Sequence, residues 1–187
     1  MKYALAGLLA VIVVAGGVYL VMNWDSFGKT TYTNSELEFS FKYKGGDSGY
    51  VLQEAKAPDD NRTDFVTNIQ LTDADELREF TESTSAREGP PTIGIMVFKN
   101  SSNFFPREWM LENPAYSNVG LMRGDIVETE IAGAKAVRYT VDGLYLLDTV
   151  IVASGNYIYV FTAALLGDDT QIADDFDPLL DSVSFGE

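Results

Sequence analysis

A run without formal charge, from Tyr3 to Trp24, is the strongest constraint on what this chain can fold into. A helix of that length reaches about the 30 Å thickness of a bilayer's hydrocarbon core. A cleaved secretory signal has a shorter apolar region followed by a small-x-small site. Such sites occur at 13–15 and 15–17, but cleavage there would leave the apolar residues 18–22 at the new terminus. We therefore predict a retained transmembrane anchor over residues 1–24, with a cleaved signal peptide and secretion as the alternative.

The flanks of this run predict its orientation. Tyr3 and Trp24 bracket it, as aromatic side chains do at membrane interfaces, and Lys2 lies on the near side. Because positive charge favours the cytoplasmic side, the sequence predicts a cytoplasmic N-terminus and export of everything after Trp24. Residues 25–31 are predicted to be a short linker, and residues 32–187 one extracytoplasmic domain.

The exported part is acidic and lacks two residue types that most catalytic and metal sites use. With Lys2 set aside, the 13 basic residues leave 12 against 28 acidic ones, a net charge of −16. Such a surface repels phosphate backbones, so we expect no nucleic-acid partner. The absence of Cys and His excludes disulfides, thiolate and Ser-His-Asp chemistry, His-ligated haem and nearly all zinc sites. We expect no cofactor.

Period-two patterns predict strands in the first half of the domain. In LEFSFKY (37–43) and FVTNIQL (65–71), apolar and polar residues alternate as they do on a half-buried strand. YVLQEA (50–55) and the apolar TIGIMVFK (92–99) are two further predicted strands.

Two helices are predicted in the same half. DADELREFTEST predicts a helix over 73–84 with its first residue as the N-cap. A short helix through Trp109 follows, capped by Ser102 or Asn103 and ended before Pro114.

The last third predicts a four-stranded antiparallel meander. Turn signals at 132–133, 142–143 and 154–156 separate its β-rich runs. YIYVF (157–161) is apolar on both faces, which indicates a central strand covered by helices on both sides.

A C-terminal helix is predicted from one apolar stripe, with a kink or a restart capped by Asp177 at Pro178. Its members are Ile172, Phe176, Leu179, Leu180 and Val183. Together the patterns predict an α+β fold: an antiparallel β-sheet of about six or seven strands with helices on both faces, preceded by one N-terminal transmembrane helix.

Four segments within residues 32–185 resemble the PsbP-like family: YTNSELEFSFKY, IAGAKAVRYTVDG, NYIYVFTAA and FDPLLDSVSF. The chain is most similar to uncharacterised bacterial members with one N-terminal anchor. It departs from the family pattern at Lys44, where the family has proline, and at Ala132, where the family has the first of two glycines. The resemblance implies an α/β/α sandwich and a non-catalytic accessory role, and it carries over no individual binding residue.

Two acidic clusters are candidate sites. Asp59, Asp60 and Asp64 could hold Ca²⁺ with neighbouring oxygens, but Asp64 and Gln70 stand where an EF-hand needs Gly and Glu. A solvated loop is therefore favoured over a metal site. Helix capping and solvation also explain the second cluster better than glycosidase chemistry does. Its members are Asp168, Asp169, Asp174, Asp175 and Asp177.

Aromatic residues around the short middle helix are the candidate partner surface: Phe104, Phe105, Trp109 and Tyr116. Exposed aromatics there would form a partner or glycan surface, whereas burial beneath the sheet edge is the favoured alternative.

These patterns predict a single-pass, membrane-anchored, extracytoplasmic, non-enzymatic binding or accessory module of the cell envelope, with a protein or small-ligand partner. The alternatives are a carboxylate-dependent enzyme such as a glycosidase, and a structural subunit of a membrane complex. A cleft with two facing carboxylates would favour the enzyme.

Overall fold

A computed structural model describes residues 29–56, 64–83, 88–165 and 171–186. The elements within these ranges, in chain order, are β1 (Lys29–Asn34), β2 (Phe39–Lys44), β3 (Tyr50–Lys56), β4 (Phe65–Asp73), α1 (Ala74–Glu82), β5 (Thr92–Lys99), α2 (Pro106–Glu112), α3 (Pro114–Ser117), a 3₁₀ turn (Val119–Leu121), β6 (Met122–Ile131), β7 (Ala134–Asp142), β8 (Leu146–Ser154), β9 (Tyr157–Leu165), α4 (Gln171–Asp181) and β10 (Ser184–Phe185).

The strands form a large sheet and a small one. The large sheet is antiparallel and has seven strands in the order β3-β4-β5-β9-β8-β7-β6. Strand β9 is the central one, as its apolar sequence predicts, and Ile158 to Phe161 are buried on both faces. The small sheet has the order β1-β2-β10. The prediction of an α+β fold with an antiparallel sheet of about six or seven strands is confirmed.

Each face of the large sheet has its own core. On one face, α4 and the small sheet cover it, and the predicted α4 stripe is buried there. Phe39 of β2 packs against Tyr159 of β9, with ring centroids 5.0 Å apart. On the other face, α2 packs over β7 and β8, where Trp109 lies against Phe98 at 4.8 Å. Covered faces on both sides explain why the central strand carries no polar alternation.

Local sequence signals place several boundaries correctly. The side chain of Asp73 accepts hydrogen bonds from the backbone of Asp75 and Glu76 at 2.9 and 3.1 Å, so it caps α1 as predicted. Ala132 and Gly133 both have positive φ, at 49° and 78°, which suits the tight hairpin between β6 and β7.

Other boundaries differ from the sequence patterns. Lys29 to Thr31, assigned to the linker, pair with β2 as part of β1. LEFSFKY contributes β2 to the small sheet rather than to a single large one, and the ring of its Phe39 packs against Tyr159 and Phe161 of β9.

The middle helix ends before Pro114 as predicted, since α2 stops at Glu112, but both of its predicted N-cap candidates are wrong. Phe105 rather than Ser102 or Asn103 is the N-cap of α2, because Pro106, with its φ already helical, takes the first helical position. Pro114 begins α3 for the same reason. In α4 the predicted restart is absent: the helix runs through Pro178 from Gln171 to Asp181.

The predicted anchor lies outside the described residues, and so do Lys2, Tyr3 and Trp24. Within the described ranges, no helix has the length and apolar character that crossing a bilayer requires.

Candidate ligand-binding pocket

A pocket of about 390 Å³ opens between the small sheet and α4. Its volume falls in the range of small-molecule sites, about 300–1,000 Å³. We call it the α4 pocket, and its lining residues are Lys29, Lys42, Tyr43, Lys44, Tyr50, Leu71, Ile93, Asp174, Asp175, Pro178 and Leu179.

The floor of the α4 pocket is apolar and belongs to the main core. Leu71 of β4 and Ile93 of β5 are cross-strand partners, and each is at most 1% exposed. Leu179 of α4 adds a third buried aliphatic side chain. Because strands and a packed helix hold these residues, the floor is preformed.

The rim of the α4 pocket is charged, and its centre is a bound carboxylate. Lys44 Nζ lies 2.6 Å from Asp175 Oδ1, and the hydroxyl of Tyr50 donates to Asp175 Oδ2 at 3.2 Å. The Asp175 side chain is 12% exposed. Two donors therefore fix this carboxylate and tie α4 to β2 and β3.

Two further lysines complete the rim. Lys29 is the cross-strand partner of Lys44, so the two positive charges stand opposite each other on neighbouring strands. The backbone N–H of Lys42 donates to Ser182 Oγ at 2.8 Å, which fixes β2 beside the end of α4. Neither Lys29 nor Lys42 has an ion-pair partner among the residues that the structure describes. The rim thus carries two lysines that are not engaged in an ion pair within the described part of the chain.

The rim carboxylates are poorly arranged for hydrolysis. Asp174 and Asp175 are adjacent on one helix, and Asp175 is already bound by Lys44 and Tyr50. A glycosidase needs two carboxyl groups that face each other across the sugar. As neighbours on one helix, Asp174 and Asp175 do not form such a facing pair.

The predicted partner surface is divided by the fold. Trp109 is 2% exposed and belongs to the core beside Phe98, as the favoured alternative of burial predicts, so it does not contribute to an exposed partner surface. Tyr116 packs on the same Phe98 ring at 5.0 Å, and Phe104 is half-buried. Phe105 alone of the four is exposed, at 55%, and the Lys135 ammonium lies 4.8 Å from its ring centroid.

Phe105 also lines a second, more open pocket of about 430 Å³ beside the edge strand β6. Arg107 and Glu128 lie across this pocket with 3.9 Å between their charged groups. The positive and negative charges at its rim balance each other, so its charge favours neither anionic nor cationic ligands.

The acidic candidate residues that the structure describes are not arranged as a metal site. Asp59 and Asp60 lie outside the described residues, whereas the Asp64 backbone carbonyl accepts a hydrogen bond from Lys99 at 2.7 Å. Among the described residues, no three acidic side chains are grouped to hold a metal ion. In the second cluster, Asp177 pairs with Arg138 at 2.8 Å and Asp175 with Lys44, so both fasten α4 to the sheets.

Sequence reasoning missed the lysine rim. A usable signal was present, since Lys42 and Lys44 occupy the polar positions of β2 in a chain with few basic residues. Their convergence with Asp175 depends on how α4 packs on the small sheet, which no local pattern encodes.

The layers and strand order define a PsbP-like α+β fold. Among solved structures, the chain is similar to the solution structure of cyanobacterial PsbP (CyanoP) from Synechocystis sp. PCC 6803, with a TM-score of 0.52 and 10% sequence identity. The match covers 84% of this chain and 92% of that one. No protein-family model and no curated protein sequence matches the chain. At this identity the likeness concerns the fold alone.

Proposed function

We propose that this chain is a non-enzymatic binding module that is anchored in a membrane by its N-terminal segment and binds a small ligand in the α4 pocket on the extracytoplasmic side. The α4 pocket is the observation that carries the proposal. Its preformed apolar floor and charged rim are the usual composition of a ligand site.

The geometry favours binding over catalysis. The floor residues Leu71 and Ile93 offer no proton donor or nucleophile, and the rim carboxylate of Asp175 is held by Lys44 and Tyr50. A ligand would be held by contact with the floor and by charge at the rim. The anchor is inferred from the uncharged run 3–24, whose length matches a bilayer.

Ligand binding to the original protein and to a variant with a blocked α4 pocket tests the proposal. In the full chain in detergent, we expect at least one compound from a panel of sugars, amino acids, carboxylic acids and phosphoesters to raise the unfolding temperature in a saturable manner. Pro178→Trp, which adds a large side chain at the pocket lining, should abolish that shift.

The matched control is Ala173→Trp, at an exposed position of the same helix that does not line the pocket. This variant should retain the shift. The proposal is wrong if no compound stabilises the protein, or if every stabilising compound acts equally on Pro178→Trp.

A further inference from the structure

We infer that the α4 pocket binds a phosphate group carried on an apolar body, with Lys29 and Lys42 as its principal contacts. This inference rests on the proposed function, since it names the class of ligand for that same pocket. It begins from charge: the rim has three lysines and two aspartates, in an exported part whose net charge is −16. A locally cationic site is unusual against that background.

The placement of the lysines opposes stability, which indicates a role in binding. Like charges on directly opposed strand positions repel, and Lys29 stands opposite Lys44. Asp175 compensates Lys44, while Lys29 and Lys42 have no ion-pair partner in the described part of the chain. An added anion would relieve this repulsion.

The type of cation points to phosphate. All three basic residues at the rim are lysines. The rigid fork of arginine matches both carboxylate and phosphate, whereas lysine binds phosphate as a mobile point charge with three donors. Several separate ammonium groups suit the tetrahedral oxygens of a phosphate, and the floor of Leu71, Ile93 and Leu179 suits an attached apolar group.

The source of such a group is a free phosphoester or a phospholipid headgroup. Lys29 lies five positions after Trp24, and an extended chain spans at most about 3.6 Å per residue, or about 18 Å in all. If Trp24 lies at the membrane interface, Lys29 is within reach of the headgroup region. The two sources share one chemistry, and the experiment separates them.

The test uses the full chain in detergent, titrated with phenyl phosphate and separately with dihexanoyl phosphatidylglycerol, and followed by NMR chemical shifts. We expect saturable binding of at least one probe. The double variant Lys29→Gln/Lys42→Gln should weaken it about tenfold, which corresponds to about 1.4 kcal/mol.

The matched control is Lys99→Gln/Lys135→Gln, which removes the same charge from two exposed lysines that do not line the pocket. Long-range attraction is largely screened at physiological salt, so the affinity of this control should stay within about twofold of the original. Lysine-dependent binding of phenyl phosphate alone identifies a free phosphoester. Binding of the lipid alone identifies a headgroup.

The inference is overturned if neither probe binds, or if the pocket variant and the control lose affinity equally. The proposed function would still stand if an uncharged compound stabilised the protein and Pro178→Trp abolished its effect. The two proposals therefore fail under different observations.

Discussion

Two buried tyrosine hydroxyls fasten non-sheet segments to the two faces of the large sheet. Tyr139 of β7 donates to the backbone carbonyl of Ser117 at 2.7 Å, and Tyr159 of β9 donates to that of Leu37 at 2.7 Å. Both side chains are at most 3% exposed. Burial raises the pKa of each phenol well above its ordinary value, because the phenolate would be desolvated.

These tyrosines make the fold sensitive to alkali. Above the ordinary pKa of 10.0 the unfolded chain releases both protons while the folded state retains them. The contribution of these groups to stability is therefore complete below pH 10 and is lost as the pH rises towards their folded pKa values. Above pH 10 the free energy of unfolding should fall by up to about 1.4 kcal/mol per pH unit for each tyrosine, or about 2.7 kcal/mol per pH unit for the pair.

The double variant Tyr139→Phe/Tyr159→Phe checks this. Its free energy of unfolding should be lower by about 1 kcal/mol per lost hydrogen bond at pH 7, and should decline less steeply than that of the original protein between about pH 10 and 12. Urea unfolding at a series of pH values measures both slopes, and the pH 7 difference serves as the internal reference. Parallel declines in the two proteins would contradict the role of the buried phenols.

Residue-level prediction succeeded where the cause is local. The capping of α1 by Asp73 depends on backbone groups two and three residues away, so the sequence alone reveals it. The ion pair between Lys44 and Asp175 joins distant parts of the chain and arises only after α4 packs. Trp109 illustrates a further limit: its sequence neighbourhood does not distinguish a buried aromatic from an exposed one.

Among the elements, α4 combines the best-predicted pattern with the least favourable residue. Its apolar stripe is buried, and a fully buried Leu or Phe contributes about 1.5–3 kcal/mol. Proline in a helix interior costs about 3 kcal/mol, because it lacks an N–H and its ring crowds the preceding turn. Several buried side chains together exceed that cost, which explains why the predicted restart at Pro178 does not occur.

Replacing this proline should therefore stabilise the protein. We expect Pro178→Ala to raise the free energy of unfolding by about 1–3 kcal/mol, measured by urea denaturation at pH 7. The control is Pro114→Ala, since Pro114 is exposed at the first position of α3, where proline is favourable. That variant should be neutral or slightly destabilised. A Pro178→Ala protein no more stable than the original would refute the account.

The sequence predicts the elements that carry period-two or turn signals, and it does not predict the strands that are held only by long-range pairing. The meander was predicted because its tight turns and alternating runs are local features. Strand β1 has a polar sequence, KTTYTN, and exists through its pairing with β2. Strand β10 has two residues and depends on the same partner. A sheet of this kind has no signature in a single segment.

For the whole molecule, fold class followed from the order of the elements, whereas the division into two sheets did not. The side of β2 that meets β9 is set by aromatic packing between Phe39 and Tyr159 rather than by strand pairing. The α4 pocket is lined by residues of the small sheet, the large sheet and α4, which come together only in the folded chain. The candidate site is thus a consequence of tertiary packing, and composition could indicate only that basic residues are scarce.

The transmembrane anchor predicted over residues 1–24 is the remaining prediction for the whole molecule. We expect the full chain, expressed in a bacterial host, to remain in the membrane fraction after carbonate extraction and to be digested when protease is added to intact spheroplasts. The reason is that residues 3–24 have no charged side chain that would disfavour their insertion in lipid, while Lys2 favours a cytoplasmic N-terminus.

Val13→Arg/Val14→Arg should release the protein from the membrane, because each arginine near the middle of a span costs about 2.5–3.5 kcal/mol. Ser101→Arg/Ser102→Arg, the same charges in an exposed turn of the domain, should leave it membrane-bound. Intact protein in the soluble fraction, or full protection from protease in spheroplasts, would show that the domain and its pocket do not face the exterior of the cell.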